Sequence, residues 1–112
     1  MSADPGASLA TLQEEVARFV AARDWQRFHT PRTLAASISI EAAELQEQFQ
    51  WLSDDESVAR LADDQARAAV ESEVADILTY LLQFAELTGI DLATALRQKL
   101  RANEERFPVD EV

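Results

Sequence analysis

Two pairs of carboxylates carry the most chemical information in this chain. Glu41 and Glu44 stand three residues apart, and Glu73 and Asp76 repeat that spacing. Residues three apart are neighbours on a helix surface, so each pair can present two acids in one direction. The first pair sits oddly. In the run 34–52, Leu34, Ile38, Leu45, Phe49 and Leu52 share one helical face. At about 100° per residue, Glu41 falls near the middle of that apolar stripe and Glu44 at its edge. Glu73 likewise stands beside Val70 and Ile77 on an apolar face. Burying an unpaired charge is costly. Four carboxylates converging from two antiparallel helices repel unless a hard, oxygen-seeking cation lies among them. The chain has 21 acidic residues, so such pairs also arise by chance on solvated faces. Placement inside apolar stripes separates these two pairs from decoration, and it predicts a Mg²⁺ site acting on a phosphorylated substrate.

A second group points the same way. Leu92 and Leu96 begin an apolar stripe whose later positions are Lys99, Asn103 and Arg106. Long cationic side chains often cover apolar surface with their heads in water. Asn103 between two cations, in so acidic a chain, favours a phosphate-binding edge. Aromatic residues form a third group: Trp25 and Phe28 in a connection, Trp51 at a helix end, and Tyr80 one turn from Asp76. Aromatic rings bordering a charged site can stack a base, although ordinary core packing is expected for Phe28. Trp51 is ten residues from Glu41, about 15 Å if one helix carries both. His29 is the single histidine and by type alone reads as a loop hydrogen-bonder.

Elements must position these groups. Helices are expected over 8–22, capped by Ser8, and over 33–52. A short helix follows Ser53 and runs through 61. Another spans 65–88 and closes at Gly89 in a left-handed cap. The last starts at Asp91 and ends before Pro108. The connection 23–32 contains Pro31, which biases Thr30 away from helical backbone. No strand pattern or repeat occurs. The expectation is an all-α fold, four main amphipathic helices in a bundle-like arrangement, with the short helix between the second and third. One domain over 8–108 is expected, with tails at 1–7 and 109–112.

Composition bounds the function. The formal net charge of −11 argues against nucleic-acid backbones and anionic membranes as partners. It also makes an anionic substrate dependent on a metal or a local basic patch. Without cysteine there is no disulfide framework, zinc–thiolate site or Cys/His nucleophile. No run is long enough to span a membrane, and no signal-peptide pattern opens the chain, so a cytoplasmic location is expected. A chain of 112 residues that is 47% hydrophobic is also expected to form a homo-oligomer, because small domains bury a modest share of their surface.

The ordered set of segments resembles one family. Glu41-x-x-Glu44 followed by Glu73-x-x-Asp76 is similar to the MazG-like all-α nucleoside triphosphate pyrophosphohydrolases. The flanking segments resemble their dCTP pyrophosphatase branch: residues 23–34, Phe49-Gln50-Trp51, residues 76–81, and Lys99-x-x-x-Asn103-x-x-Arg106-x-Pro108. The likeness runs from Arg23 to Pro108. It implies a homotetramer that uses Mg²⁺, with Mn²⁺ as a substitute, to hydrolyse a nucleoside triphosphate to the monophosphate and pyrophosphate. It assigns the metal to Glu41, Glu44, Glu73 and Asp76, with Glu41 or Glu44 taking the water's proton. It gives Trp25 and Trp51 the base, and sets His29, Tyr80, Lys99, Asn103 and Arg106 around sugar and phosphates. Two positions depart from the pattern: Ser72 replaces an acid common in relatives, and Val16 stands where some carry a polar residue. The competing expectations are a related hydrolase for dUTP or damaged purine nucleotides, and a non-catalytic helical interaction module whose stability ignores Mg²⁺.

Overall fold

The computed structural model describes residues 6–109. The expected tails at 1–7 and 109–112 lie mostly outside them. Among the described residues the fold is all-α, as expected, with five α-helices and no strand.

Helix α1 spans Leu9–Ala22. Ser8 Oγ accepts from the Thr11 N–H at 3.1 Å, satisfying one of the free donors at the helix start. At its other end the Asp24 N–H donates to Ala21 O at 3.0 Å and the Trp25 N–H to Val20 O at 3.1 Å, with Asp24 at φ 54°. This is the paired bonding of a Schellman cap, with Asp24 in the place glycine most often holds. The cap turns Trp25 back onto α1, where its ring meets Phe19 edge-on at 5.7 Å. Arg23 lies over the Phe19 ring at 3.6 Å and donates from Nη1 to Phe19 O at 3.0 Å. A 3₁₀ turn, Gln26–Phe28, follows. Phe28 does not join the core: it is 61% exposed, with Arg27 laid over its ring at 4.4 Å.

Helix α2 spans Pro31–Glu47, starting two residues before the expected point and ending five before it. The early start comes from a capping box. The Thr33 N–H donates to Thr30 Oγ1 at 3.1 Å, and the Thr30 N–H donates to Thr33 Oγ1 at 2.9 Å. Pro31 takes the first helical position, where its missing N–H is not needed. The early end comes from tighter bonds: Gln48 N–H to Leu45 O at 3.2 Å and Phe49 N–H to Gln46 O at 3.0 Å. Phe49 and Leu52 remain half-buried, so the apolar stripe outlasts the helix that began it. Helix α3 spans Asp54–Arg60 behind a second capping box, Ser53 with Glu56.

Helix α4, Asp64–Thr88, is the hub. Asp63 caps its start, and Gly89 at φ +72° ends it. Helices α2 and α1 both pack on it. The core they share is small, with Val20, Leu34, Leu82 and Ala85 buried. Helix α5, Leu92–Arg106, is capped by Asp91 and packs only slightly on the rest. Leu96 and Leu100 of α5 and Val74, Leu78 and Leu81 of α4 are exposed. The radius of gyration is 17.2 Å, against about 13 Å for a compact domain of this length. No helix among the described residues is long and apolar enough to cross a membrane.

Candidate active site

Helices α2 and α4 run antiparallel. Gln48, just past the end of α2, donates from Nε2 to Ala69 O near the start of α4 at 3.3 Å. The same pairing sets Glu41, further back on α2, against Glu73 and Asp76. One carboxylate oxygen from each of these three lies within 4.8 Å of the others. Glu41 and Glu73 are half-buried and Asp76 is exposed. Glu44 is not one of the three, yet its carboxyl neighbours both Glu41 and Glu73.

The electrostatics follow from this crowding. Burial first, then the Glu44 and Glu41 carboxyls, push Glu73 up to about 7. Burial also raises Glu41, reinforced by the charges of Glu44 and Asp76. No cation offsets them: among the described residues the ion pairs are Arg27–Asp24 and Arg67–Glu71, and neither touches the four acids. Glu73 Oε1 is buried and has no hydrogen-bond partner. Buried polar atoms are rarely left so. An all-oxygen donor set, an unmet buried oxygen and acids that hold their protons too tightly fit a hard divalent cation.

The other predicted residues fall in three places. Tyr80 is half-buried on α4, one turn beyond Asp76. Trp25 and His29 lie on either side of the 3₁₀ turn, Trp25 against Phe19 and His29 lining a cleft of about 400 Å³ between α1 and α4. Trp51 is 87% exposed in the turn after α2. Because α2 stops at Glu47, the distance from Glu41 to Trp51 cannot be read from helical rise. Lys99, Asn103 and Arg106 ride on α5, apart from the α2–α4 hub. Asn103 is half-buried, and Arg106 lies 5.0 Å over the Phe107 ring.

The cleft was not foreseen. Gln13 of α1 and Gln83 and Glu86 of α4 line it with apolar neighbours. Gln83 stands two turns from Asp76 on the same face of α4, and that spacing was the available signal.

These features define an all-α protein with a carboxylate site suited to a divalent cation. The chain belongs to the MazG-like family, whose model matches residues 36–112. It is 38% identical over 108 residues to dCTP pyrophosphatase 1 of Rattus norvegicus, covering 96% of this chain and 64% of the relative. It is 36% identical over 107 residues to dCTP pyrophosphatase 1 of Homo sapiens, covering 96% of this chain and 63% of that one. The chain thus spans somewhat under two thirds of these relatives' length. A crystal structure of a pyrophosphatase from Archaeoglobus fulgidus superposes with a TM-score of 0.84 at 36% identity, covering 97% of this chain and 100% of that one.

Proposed function

We propose that this chain is a Mg²⁺-dependent nucleoside triphosphate pyrophosphohydrolase that converts dCTP, or a modified dCTP, to dCMP and pyrophosphate. The observation that carries the reading is the meeting of Glu41, Glu73 and Asp76 around the unmet, buried Glu73 Oε1. The dCTP pyrophosphatase relatives supply the substrate class.

Glu41, Glu44, Glu73 and Asp76 hold the cation. When bound, Mg²⁺ supplies neutralising charge for the triphosphate and makes a nearby water more acidic. Glu44, which neighbours the other acids without sharing their meeting point, accepts a proton from the attacking water, and Glu41 is the alternative base. The water oxygen bonds to phosphorus, the α–β phosphoanhydride bond breaks, and pyrophosphate leaves. Lys99, Asn103 and Arg106 bind phosphates. Tyr80 and His29 line the path of the sugar, and Trp25 and Trp51 contact the base.

The assembly is a homotetramer in this reading. Helix α5 carries phosphate-binding groups but packs little on its own chain, and the exposed leucines of α4 and α5 offer faces for another copy. A panel of canonical and modified nucleoside triphosphates, assayed for pyrophosphate release with Mg²⁺, tests the function. Release that is fastest with dCTP or 5-methyl-dCTP supports it; no release from any nucleotide rejects it.

A further inference from the structure

The face of α4 that carries Glu73 and Asp76 continues, at helical spacing, through Tyr80 to Gln83. Gln83 lies about 10 Å beyond Asp76 along one unbroken helix, and Glu86 about 15 Å. There α4 forms one wall of the 400 Å³ cleft, and α1 forms the other. Val16, Ala17 and Val20 on α1 and Leu82 and Leu87 on α4 make its sides apolar. Its polar groups are Gln13, Gln26, His29, Gln83 and Glu86. Gln83 Oε1 is buried and accepts no hydrogen bond. Glu86 Oε2 accepts from Gln13 Nε2 at 2.9 Å, a bond across the cleft from α1 that holds the carboxylate in place. An ionised carboxylate only accepts, whereas a glutamine amide can turn to accept or to donate.

A slot with apolar sides suits a flat ring, and the unmet Gln83 Oε1 beside the Glu86 carboxylate calls for a donor on that ring's edge. We propose that Glu86, with Gln83 beside it and Gln13 positioning it, reads the edge of the substrate base and selects pyrimidines carrying an exocyclic amino group over those carrying a carbonyl there. The inference rests on the proposed function, since phosphates gripped at Glu41, Glu73 and Asp76 place a base one nucleotide length further along α4. Cytosine offers its amino hydrogens to Glu86 and Gln83. Uracil sets a carbonyl oxygen against the carboxylate, and two acceptors repel. Gln83 can turn away from that clash; Glu86 cannot, so Glu86 discriminates. Trp51 follows α2 beside the start of α4, at the far end from this cleft, so it meets a base held here only as part of a neighbouring copy.

The test compares kcat/KM for dCTP, dUTP and the pyrimidin-2-one deoxynucleoside triphosphate, which lacks the amino group, in the full chain with Mg²⁺. In the wild type, dUTP and the pyrimidin-2-one should each fall at least about tenfold below dCTP, because a polar site rejects substrates that leave its groups unpaired. Glu86→Gln, near-isosteric and still able to accept from Gln13, should lower the dCTP-to-dUTP ratio by about tenfold or more with little change in melting temperature. Gln83→Leu should lower dCTP efficiency and move the ratio less. A wild type that hydrolyses all three pyrimidines equally well, or an unchanged ratio in folded Glu86→Gln, overturns this inference while leaving the hydrolase intact. A wild type inactive on every nucleotide overturns the function and this inference together.

Discussion

Glu41 on α2 and Glu73 on α4 each bring a carboxylate oxygen to one point shared with Asp76, inside 4.8 Å. Without a cation, this contact is unfavourable in the folded chain and absent in the unfolded one. Much of the expected behaviour follows from that asymmetry.

One consequence is a reversed pH dependence in the chelated protein. Glu73 rises from its ordinary 4.5 to about 7 on folding. A carboxyl raised on folding contributes stability that is complete below the unfolded value and is lost as pH climbs through the folded one. In EDTA, the melting temperature should therefore fall between about pH 4.5 and 7, and Glu73→Gln should flatten that fall. Glu56 and Asp91, held below their ordinary values by the Ser53 and Thr94 backbone N–H groups they accept from, act oppositely. Their contribution is lost only at more acid pH. A melting temperature that rises steadily from pH 5 to 7 in EDTA would contradict the crowding.

Trp51 separates two roles in one variant. At 87% exposure it anchors no core within the chain, so Trp51→Ala should leave stability within about 0.5 kcal/mol. Loss of base stacking should raise KM for dCTP by about ten- to a hundredfold. A destabilised protein with unchanged KM would reject the stacking role.

Gly89 tests the joint between α4 and α5. A Cβ there meets nothing within 4 Å, but φ is +72°. The cost of Gly89→Ala is then backbone strain alone, about 1 kcal/mol. Urea denaturation should show a lower midpoint with an unchanged slope. An unchanged midpoint would mean that the left-handed turn relaxes freely.

The proposed tetramer has a direct test. Light scattering should give four times the 12.5 kDa chain mass, because closed symmetry buries the leucines left open on α4 and α5. A monomer mass at micromolar concentration would contradict it.

The meeting of Glu41 with Glu73 and Asp76 was legible because the spacing that sets their faces is local. Three residues apart on a helix means the same face in any fold, and Glu41's place in an apolar stripe implied a partner. Ser8, Asp91 and Gly89 were legible for the same reason, since a cap depends on a few residues of chain. The end of α2 was not. Phe49 and Leu52 keep the helical apolar rhythm while the backbone tightens into turns, so periodicity ran five residues past Glu47. Phe28 looked like core, yet an aromatic in a connection is buried only if a helix comes to meet it, and Arg27 covers it instead. The cleft was hidden because Gln13, Gln83 and Glu86 each read as ordinary solvated helix positions, and only the docking of α1 on α4 brings them together.

The most direct measurement is pyrophosphate release from dCTP in saturating Mg²⁺, before and after chelation, for wild type and Glu73→Gln. Wild-type release should stop with chelation and return when Mg²⁺ or Mn²⁺ is restored. The folded variant should lose at least about a hundredfold, with its melting temperature no longer raised by the metal. Equal release with and without metal, or a fully active Glu73→Gln, would contradict a metal-dependent hydrolase built on these carboxylates.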